Sequence, residues 1–360
     1  MEIDTFRPDW ISPPGETIFD ILRLRNISEI DFARRICQDV NEVRALILGN
    51  KPITHDIAEK LESVLGASSA FWERREHKYR DAIRKLEGQA NNNSVREWLN
   101  DLPVAEMMKE GWIPRVRSHG EKVSACLRFF GVMDVPSWRE AHADLTNRAA
   151  FRTSKALKSA PGAVAAWIRR AELESEAIEC RPWDHTLFQQ ALNEARALTR
   201  ETDPSVFLPA LQRCFAKCGV AVVVLRTPPG CPASGATKFL TRDKALMLLS
   251  FRYLSDDQFW FSVFHEGGHL VLHPNRLFVE GLAVPFASEE EEANTFAANM
   301  LVPPQYRDEL LNLPIDGRAV MRFARKIQIA PGIVVGQLQH LGILNRKQLN
   351  NLKRRYKWAV

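Results

Sequence analysis

The sequence predicts a multidomain protein in which an all-α helix-turn-helix domain precedes a helical connector and an α+β domain. A length of 360 residues exceeds that of one ordinary domain, so two or three domains are expected. Helical periodicity fills the first part of the chain, whereas short β-branched runs in the last part predict strands. The expected boundaries are 1–80, 81–180 and 181–360.

The composition indicates a globular chain with enough apolar residues for a sizeable core. Hydrophobic residues make up 45% and charged residues 26% of the chain, and the formal net charge is +5. The first residues are polar and acidic, and no apolar run approaches the roughly 18 residues of a membrane span, so we expect a cytoplasmic protein without a membrane partner. The cysteines are scattered without a Cys-x-x-Cys pair, which argues against a disulfide framework or a zinc ribbon.

The first 80 residues predict several short helices with recognisable ends. Ser28, followed by Asp31, is a typical N-cap, and Thr54 is expected to begin a later helix. Gly49 and Gly66 are expected to end the helices that precede them. Two helices joined by a tight turn have the spacing of a helix-turn-helix.

This region resembles the XRE-like helix-turn-helix, and more closely the antitoxins of the HigA type. The resemblance implies that Asn41, Glu42 and Arg44 would face the major groove of double-stranded DNA. However, residues 1–80 hold 12 Lys and Arg against 14 Asp and Glu, whereas a DNA-binding module usually has a basic face. A degenerate helix-turn-helix used for protein contacts therefore stays open. The segments that carry the resemblance are 28–33, 47–51, 57–61 and 69–72.

The connector is helical in pattern and weak in motifs. Its basic stretch, residues 139–170, has seven Lys and Arg against Glu140 and Asp144. A solvated surface is the expected role of this stretch, and a patch for a nucleic acid or a protein partner is the alternative.

In the last part of the chain, strands are expected over 219–226, 238–240 and 245–250, ahead of a helix that contains His265, Glu266 and His269. On a helix, residues four apart lie roughly 40° apart on one face, so both imidazoles can reach one metal ion. Glu266 lies beside the first histidine, where it can accept a proton from a water molecule. His273 is expected to end the helix, and a catalytic role is the alternative.

A second segment offers a third metal ligand. A catalytic zinc site uses three protein ligands, so two histidines need another donor, often a carboxylate. Glu290, Ala293, Asn294 and Ala297 follow the spacing of one helical face, and the small alanines would let this helix approach the histidine helix closely. The alternative is that the run of glutamates at 289–292 is a solvated helix start that the helix dipole favours.

Together these segments resemble the ImmA/IrrE family of zinc metallopeptidases. The resemblance implies a zincin-like metallopeptidase domain with Zn²⁺ held by His265, His269 and Glu290, and with Glu266 as the catalytic base. The sequence departs from the family at Gly267, where a bulkier apolar residue is usual. The segments that carry the resemblance are 265–273, 290–297, 300–303, 234–237 and 249–252.

Two functions follow as expectations. The first is a regulatory zinc endopeptidase that cleaves a protein such as a transcriptional repressor or an antitoxin, with the N-terminal domain locating it at DNA or at its target. The alternative is an antitoxin-like transcriptional regulator whose zincin domain senses or binds a partner without turnover. Glu266 favours the first, because a structural metal site does not need a base. Assembly into a homodimer is left open.

The end of the chain is basic. Residues 346–357 contain six Lys and Arg and no acidic residue. We expect these side chains to be solvated, and binding of phosphate groups or of an acidic partner is the alternative.

Overall fold

The computed structural model describes residues 12–90, 93–143, 145, 160–273, 277–279 and 287–358. Contacts divide the chain into two compact units, Met1–Ala143 and Asp144–Val360. The division into three segments drawn from the sequence stays a prediction. Within the described ranges, no helix combines the length and the apolarity that crossing a membrane requires.

The first unit is helical over its described residues. Its core lies among the first helices, where Phe32, Leu61 and Trp72 are fully buried. The helices are α1 (Pro14–Leu24), α2 (Glu29–Arg35), α3 (Val40–Ile47), α4 (His55–Leu65), α5 (Ser69–Ala90), α6 (Asn93–Asp101), α7 (Val104–Lys109), α8 (His119–Phe130) and α9 (Val135–Ala141).

The ends of the early helices follow from local sequence. Ser28 accepts a hydrogen bond from the backbone N–H of Asp31, and Thr54 accepts one from that of Ile57, as the predicted caps require. Gly66 ends α4 with a φ of 82°, a left-handed conformation that glycine adopts without steric cost. These capped helices confirm the expected all-helical character of this part of the chain.

The second unit is α+β, as expected. Helices pack around a small sheet, and a largely buried helix of 17 residues, Asp256–Leu272, carries the candidate site. The elements are α10 (Pro161–Glu176), α11 (His185–Leu198), α12 (Pro204–Ala216), β1 (Val220–Val224), β2 (Gly235–Thr241), β3 (Lys244–Leu249), α13 (Asp256–Leu272), β4 (Phe278–Val279), α14 (Ala287–Leu301), α15 (Arg307–Leu311), α16 (Gly317–Ile327) and α17 (Pro331–His340), with 3-10 turns at Pro304–Tyr306 and Asn350–Leu352.

The described strands form a mixed sheet in the order β1-β3-β2-β4. Strand β1 is parallel to β3, whereas β2 is antiparallel to both β3 and β4. Strand β2 begins at Gly235, three residues before the expected start at Lys238. No strand pattern was visible at these three positions, because Gly235, Ala236 and Thr237 are small. Their strand conformation comes from pairing with β3, in which Gly235 lies opposite Leu249.

Helix α13 lies in the middle of the second unit and contacts α14, α17, α11 and the sheet. Two glycines allow the close approach of neighbouring helices. A Cβ at Gly267 would lie 2.7 Å from a methyl group of Leu192 on α11, and a Cβ at Gly268 would lie 3.1 Å from the ring of Phe296 on α14. Leu192 therefore occupies the space that a larger side chain at position 267 would need.

Candidate metal centre

The two histidines of α13 face the same point. His265 and His269 are 2% and 1% exposed, and their Nε2 atoms lie 3.1 Å apart. Their one-turn separation on a helix places the imidazoles on one face, as the sequence predicted. Buried apolar neighbours such as Phe264 and Val263 hold the helix in the core.

Glu290 brings a carboxylate to the same point from α14. Its Oε2 atom lies 3.4 Å from Nε2 of His265, and its Oε1 atom lies 3.5 Å from Nε2 of His269. The helix approaches closely because Ala293 and Ala297 are fully buried and small. The predicted face of α14, with Glu290 at its start, is therefore the face that this helix turns inward.

The three donors fit a metal ion of the size of zinc. In a tetrahedral site with bond lengths of about 2.1 Å, neighbouring ligand atoms lie about 3.4 Å apart. In this structure the two imidazole nitrogens lie 3.1 Å apart, and each lies 3.4 or 3.5 Å from a different oxygen of the Glu290 carboxylate. Two imidazole nitrogens and one carboxylate are also a donor set that a catalytic zinc site uses.

The electrostatics of the site favour ligands in their metal-binding protonation states. Burial alone would raise the pKa of Glu290, but hydrogen bonds and charge from His265 and His269 outweigh it and hold that pKa at about 2. Burial lowers the pKa of His269 below its ordinary value. An ionised carboxylate and a neutral imidazole are the forms that bind a metal ion.

Glu266 lies beside the three donors and is fully buried. The hydroxyl of Thr237, which is 1% exposed, donates a hydrogen bond of 2.9 Å to Oε2 of Glu266. Gly235 leaves the room for this carboxylate, because a Cβ at that position would lie 2.4 Å from Oε1 of Glu266. Strand β2 therefore positions Glu266 through one hydroxyl and one missing side chain.

Aromatic rings orient both imidazoles. The ring of Phe278 in β4 stacks on His269 at a centroid distance of 3.9 Å, and the ring of Phe261 stacks on His265 at 6.0 Å. No role for Thr237 or for either phenylalanine was expected from the sequence. Of these, only Phe261 carried a local signal, because it lies four residues before His265 on the same helix.

His273 lies at the end of α13. Its backbone N–H donates to the carbonyl of His269, and its Nε2 lies 3.7 Å from a carboxylate oxygen of Glu292. It is not part of the group formed by His265, His269 and Glu290 within the described chain. The structure thus places His273 where the sequence predicted, at the point where the helix stops.

The start of α13 carries two buried acidic residues for which the sequence predicted no role. Burial and the charge of Asp257 raise the pKa of Asp256 to about 6. Asp257 accepts a hydrogen bond of 2.6 Å from Nζ of Lys353. Arg354 donates to the carbonyls of residues 199, 200 and 201. The expectation that the basic end of the chain is solvated is therefore wrong for Lys353 and Arg354.

In the first unit, Asn41, Glu42 and Arg44 lie exposed on α3. Nε of Arg44 lies 2.8 Å from a carboxylate oxygen of Glu29, and Glu42 pairs with Lys51 at 3.0 Å. These residues are accessible on one helix, and two of them form surface ion pairs within the same unit. Their role in binding DNA stays a prediction.

One segment of the second unit is similar to a family of peptidases. Residues 220–333 match the family model described as the IrrE N-terminal-like domain, Peptidase_M78, a family of metal-dependent peptidases. The matched segment includes the three donors, Glu266 and Thr237. Over these residues the resemblance to the ImmA/IrrE family is confirmed. No curated protein matched the chain.

Proposed function

We propose that this protein is a zinc-dependent endopeptidase in which His265, His269 and Glu290 hold Zn²⁺ and Glu266 is the catalytic base. The observation that carries the proposal is the convergence of two imidazole nitrogens, 3.1 Å apart, with a carboxylate whose two oxygens lie 3.4 and 3.5 Å from them, close to the ligand spacing of a tetrahedral site. Zinc bound there supplies a Lewis acid that polarises a peptide carbonyl and acidifies an attacking water.

The residues of the chain perform the proton transfer. Glu266 accepts the proton of the attacking water and can return it to the leaving amine. The hydrogen bond from Thr237 holds one oxygen of this carboxylate, so that the other oxygen keeps a constant orientation. Glu266 and the two histidines are at most 2% exposed, and low access of bulk water strengthens these interactions.

Zinc content and peptide cleavage test the proposal. We expect about one zinc per chain in the wild type and almost none in Glu290→Ala, measured by elemental analysis after metal-replete purification. Glu291→Ala is the matched control, because Glu291 is the exposed neighbour of Glu290 on α14. Glu266→Gln should keep its zinc and lose cleavage of co-expressed host proteins. Absence of zinc from the wild type would refute the ligand assignment.

We propose that the substrate is a regulatory protein such as a transcriptional repressor or an antitoxin. The support is the pairing of a peptidase-type domain with a helical N-terminal region that resembles a helix-turn-helix. The short helices α2 and α3, with Asn41, Glu42 and Arg44 exposed on α3, suit contact with DNA or with a protein. Proteomic comparison of cells that express the wild type or Glu266→Gln would identify cleaved proteins.

DNA contact by α3 is a separate part of the proposal. Fluorescence polarisation with duplex DNA should show binding that weakens when Asn41 and Arg44 are both replaced by Ala. Arg84→Ala is the control, because this exposed arginine lies on α5. If the wild type, the double variant and Arg84→Ala bound DNA equally, α3 would be assigned to protein contacts and not to DNA.

The second candidate function is an antitoxin-like transcriptional regulator whose zincin domain binds a partner without turnover. The polar, exposed face of α3 is the observation that favours it. A reporter assay distinguishes the two functions. Repression that persists in Glu266→Gln, together with no cleavage by the wild type at full zinc content, would favour the regulator.

A further inference from the structure

A polar cleft lies at the start of α13, beside the end of α17 and the last residues of the described chain. It consists of two adjoining cavities of about 520 and 160 Å³ that share Asp257, Gln258, Gly336 and His340 among their lining residues. The larger cavity is also lined by Arg346, Lys353 and Arg355. We call the two cavities together the basic cleft.

The smaller cavity leads toward the metal centre. It is lined by Phe261, whose ring stacks on His265, and by Asn294, which lies one helical turn after Glu290. Each of these residues is thus one turn from a metal ligand on the same helix. The smaller cavity therefore lies about one helical turn from the metal ligands on both α13 and α14.

The charge of the basic cleft is positive. Its acidic residue, Asp257, is neutralised by Lys353 at 2.6 Å, and these side chains are only 3% and 9% exposed. Arg346 and Arg355 are exposed, and neither forms an ion pair within the described part of the chain. Two guanidinium groups are thus left to attract an anion, while the buried pair contributes no net charge.

The rim of the basic cleft suits a peptide ligand. Nη1 of Arg355 donates to the backbone carbonyl of Tyr253 at 3.5 Å, which directs this guanidinium along the rim. Tyr253 is 53% exposed and also lines the larger cavity. An exposed tyrosine next to arginine is a combination typical of protein contact surfaces.

We propose that the basic cleft is a specificity subsite that binds an acidic side chain of the peptide substrate. The proposal rests on the peptidase function of the neighbouring metal centre. Gln258 lies seven residues before His265 on α13, which corresponds to roughly 10 Å along the helix. An extended peptide covers that length with about three residues. The preferred substrate therefore carries Asp or Glu about three residues from the bond that is cleaved.

Binding to the zinc-loaded full-length Glu266→Gln protein tests the subsite without turnover. The probes are fluorescein-labelled peptides with Glu about three residues to one or the other side of a central bond, and a matched peptide with Gln at those positions. We expect one Glu peptide to bind about tenfold more tightly than the Gln peptide, measured by fluorescence polarisation. The double variant Arg346→Glu and Arg355→Glu should abolish this preference.

Lys347→Glu is the control variant, because Lys347 is exposed, neighbours Arg346 in sequence and does not line the basic cleft. It should retain the preference for Glu. Equal binding of Glu and Gln peptides, or an equal loss in Lys347→Glu, would overturn the subsite. Competition by inorganic phosphate without any preference for Glu peptides would show a site for free anions and would overturn the assignment to a peptide.

Failure of the subsite and failure of the peptidase proposal give different results. Wild-type zinc content and cleavage are measured separately from peptide binding. Zinc and cleavage with no preference for Glu would reject the subsite alone. Absence of zinc would reject the metal centre, and with it the reason for an acidic peptide to bind here.

Discussion

The hydroxyl of Thr237 should control the activity of Glu266 without affecting the metal ligands. Thr237→Val replaces the hydroxyl with a methyl group of similar volume and removes the 2.9 Å hydrogen bond to Glu266. A hydrogen bond to a charged group contributes about 1.5–3 kcal/mol. Because the two side chains are 1% and 0% exposed, water has little access to replace the lost donor.

We assume that the free energy of this hydrogen bond holds Glu266 in its reactive orientation. The loss of the hydrogen bond then determines by how much kcat/KM falls. At about 1.4 kcal/mol per tenfold change, kcat/KM for peptide cleavage should fall about 10- to 150-fold in Thr237→Val. Thr237→Ser keeps the hydroxyl and should retain most of the activity. Zinc per chain should be unchanged in both variants, because Thr237 bonds to Glu266, the proposed base, and is not one of the three proposed ligands.

Steady-state cleavage of an internally quenched peptide, with elemental analysis of the same samples, measures both quantities. Equal kcat/KM for Thr237→Val and the wild type at equal zinc content would refute the positioning role. Loss of zinc in Thr237→Val would show that strand β2 acts through the ligands and not through Glu266. An equal loss of activity in Thr237→Ser would show that packing, and not the hydroxyl, matters at this position.

Three further predictions follow from close contacts and one raised pKa. Gly235→Ala places a methyl group 2.4 Å from Oε1 of Glu266, so cleavage should fall by at least about tenfold in the same peptide assay while zinc is retained. Gly332→Ala places a methyl group 2.5 Å from Oδ1 of the buried Asp256. The free energy of unfolding should drop by about 1–3 kcal/mol in urea titrations. Asp256→Asn should gain stability relative to the wild type by about 2.5 kcal/mol as the pH rises from about 4 to about 7.

The sign of the Asp256 effect follows from its raised pKa. The folded value of about 6 lies above the ordinary 3.8, so the folded state holds this proton more tightly than the unfolded state does. The resulting stabilisation is complete below pH values of about 4 and is lost as the pH rises through about 6. Asparagine stays neutral throughout, so a stability difference between variant and wild type that does not change with pH would contradict the assignment.

Two outcomes would contradict the glycine predictions. Full activity in Gly235→Ala would mean that Glu266 does not need its present position. Unchanged stability in Gly332→Ala would mean that α17 can move away from Asp256 at no cost. Gly342→Ala is not a suitable control because Gly342 has a φ of 73°. Gly317→Ala is suitable, because its Cβ would meet only a methyl group of Leu352 at 3.8 Å.

The histidine helix could be predicted because its signal is local. His265 and His269 are four residues apart, and the geometry of a helix alone places them on one face. The helix N-caps at Ser28 and Thr54 are local for the same reason, since each side chain bonds a backbone group three residues away. The role of Glu290 could not be predicted from its own helix alone, because it depends on the contact between two helices. The small alanines on the same helical face indicated that contact.

Other features of the second unit had no local signal. Strand β2 starts at Gly235 because it pairs with β3, although its first three residues are small and lack strand periodicity. Thr237 contacts Glu266 from 29 residues away, and Lys353 contacts Asp257 from 96 residues away. Hydrogen bonds between such distant residues depend on how whole elements pack, which no short window of sequence determines.

The sequence by itself therefore determined the chemistry of the candidate site: two imidazoles, a neighbouring carboxylate and a second carboxylate on a face of small residues. Its physical basis is helical periodicity, which acts over three to four residues. Only the tertiary structure decided which groups surround these residues. Packing of α13 against β2 placed Thr237 and Gly235 at Glu266, and packing of the chain end against α13 assembled the basic cleft from residues nearly one hundred positions apart.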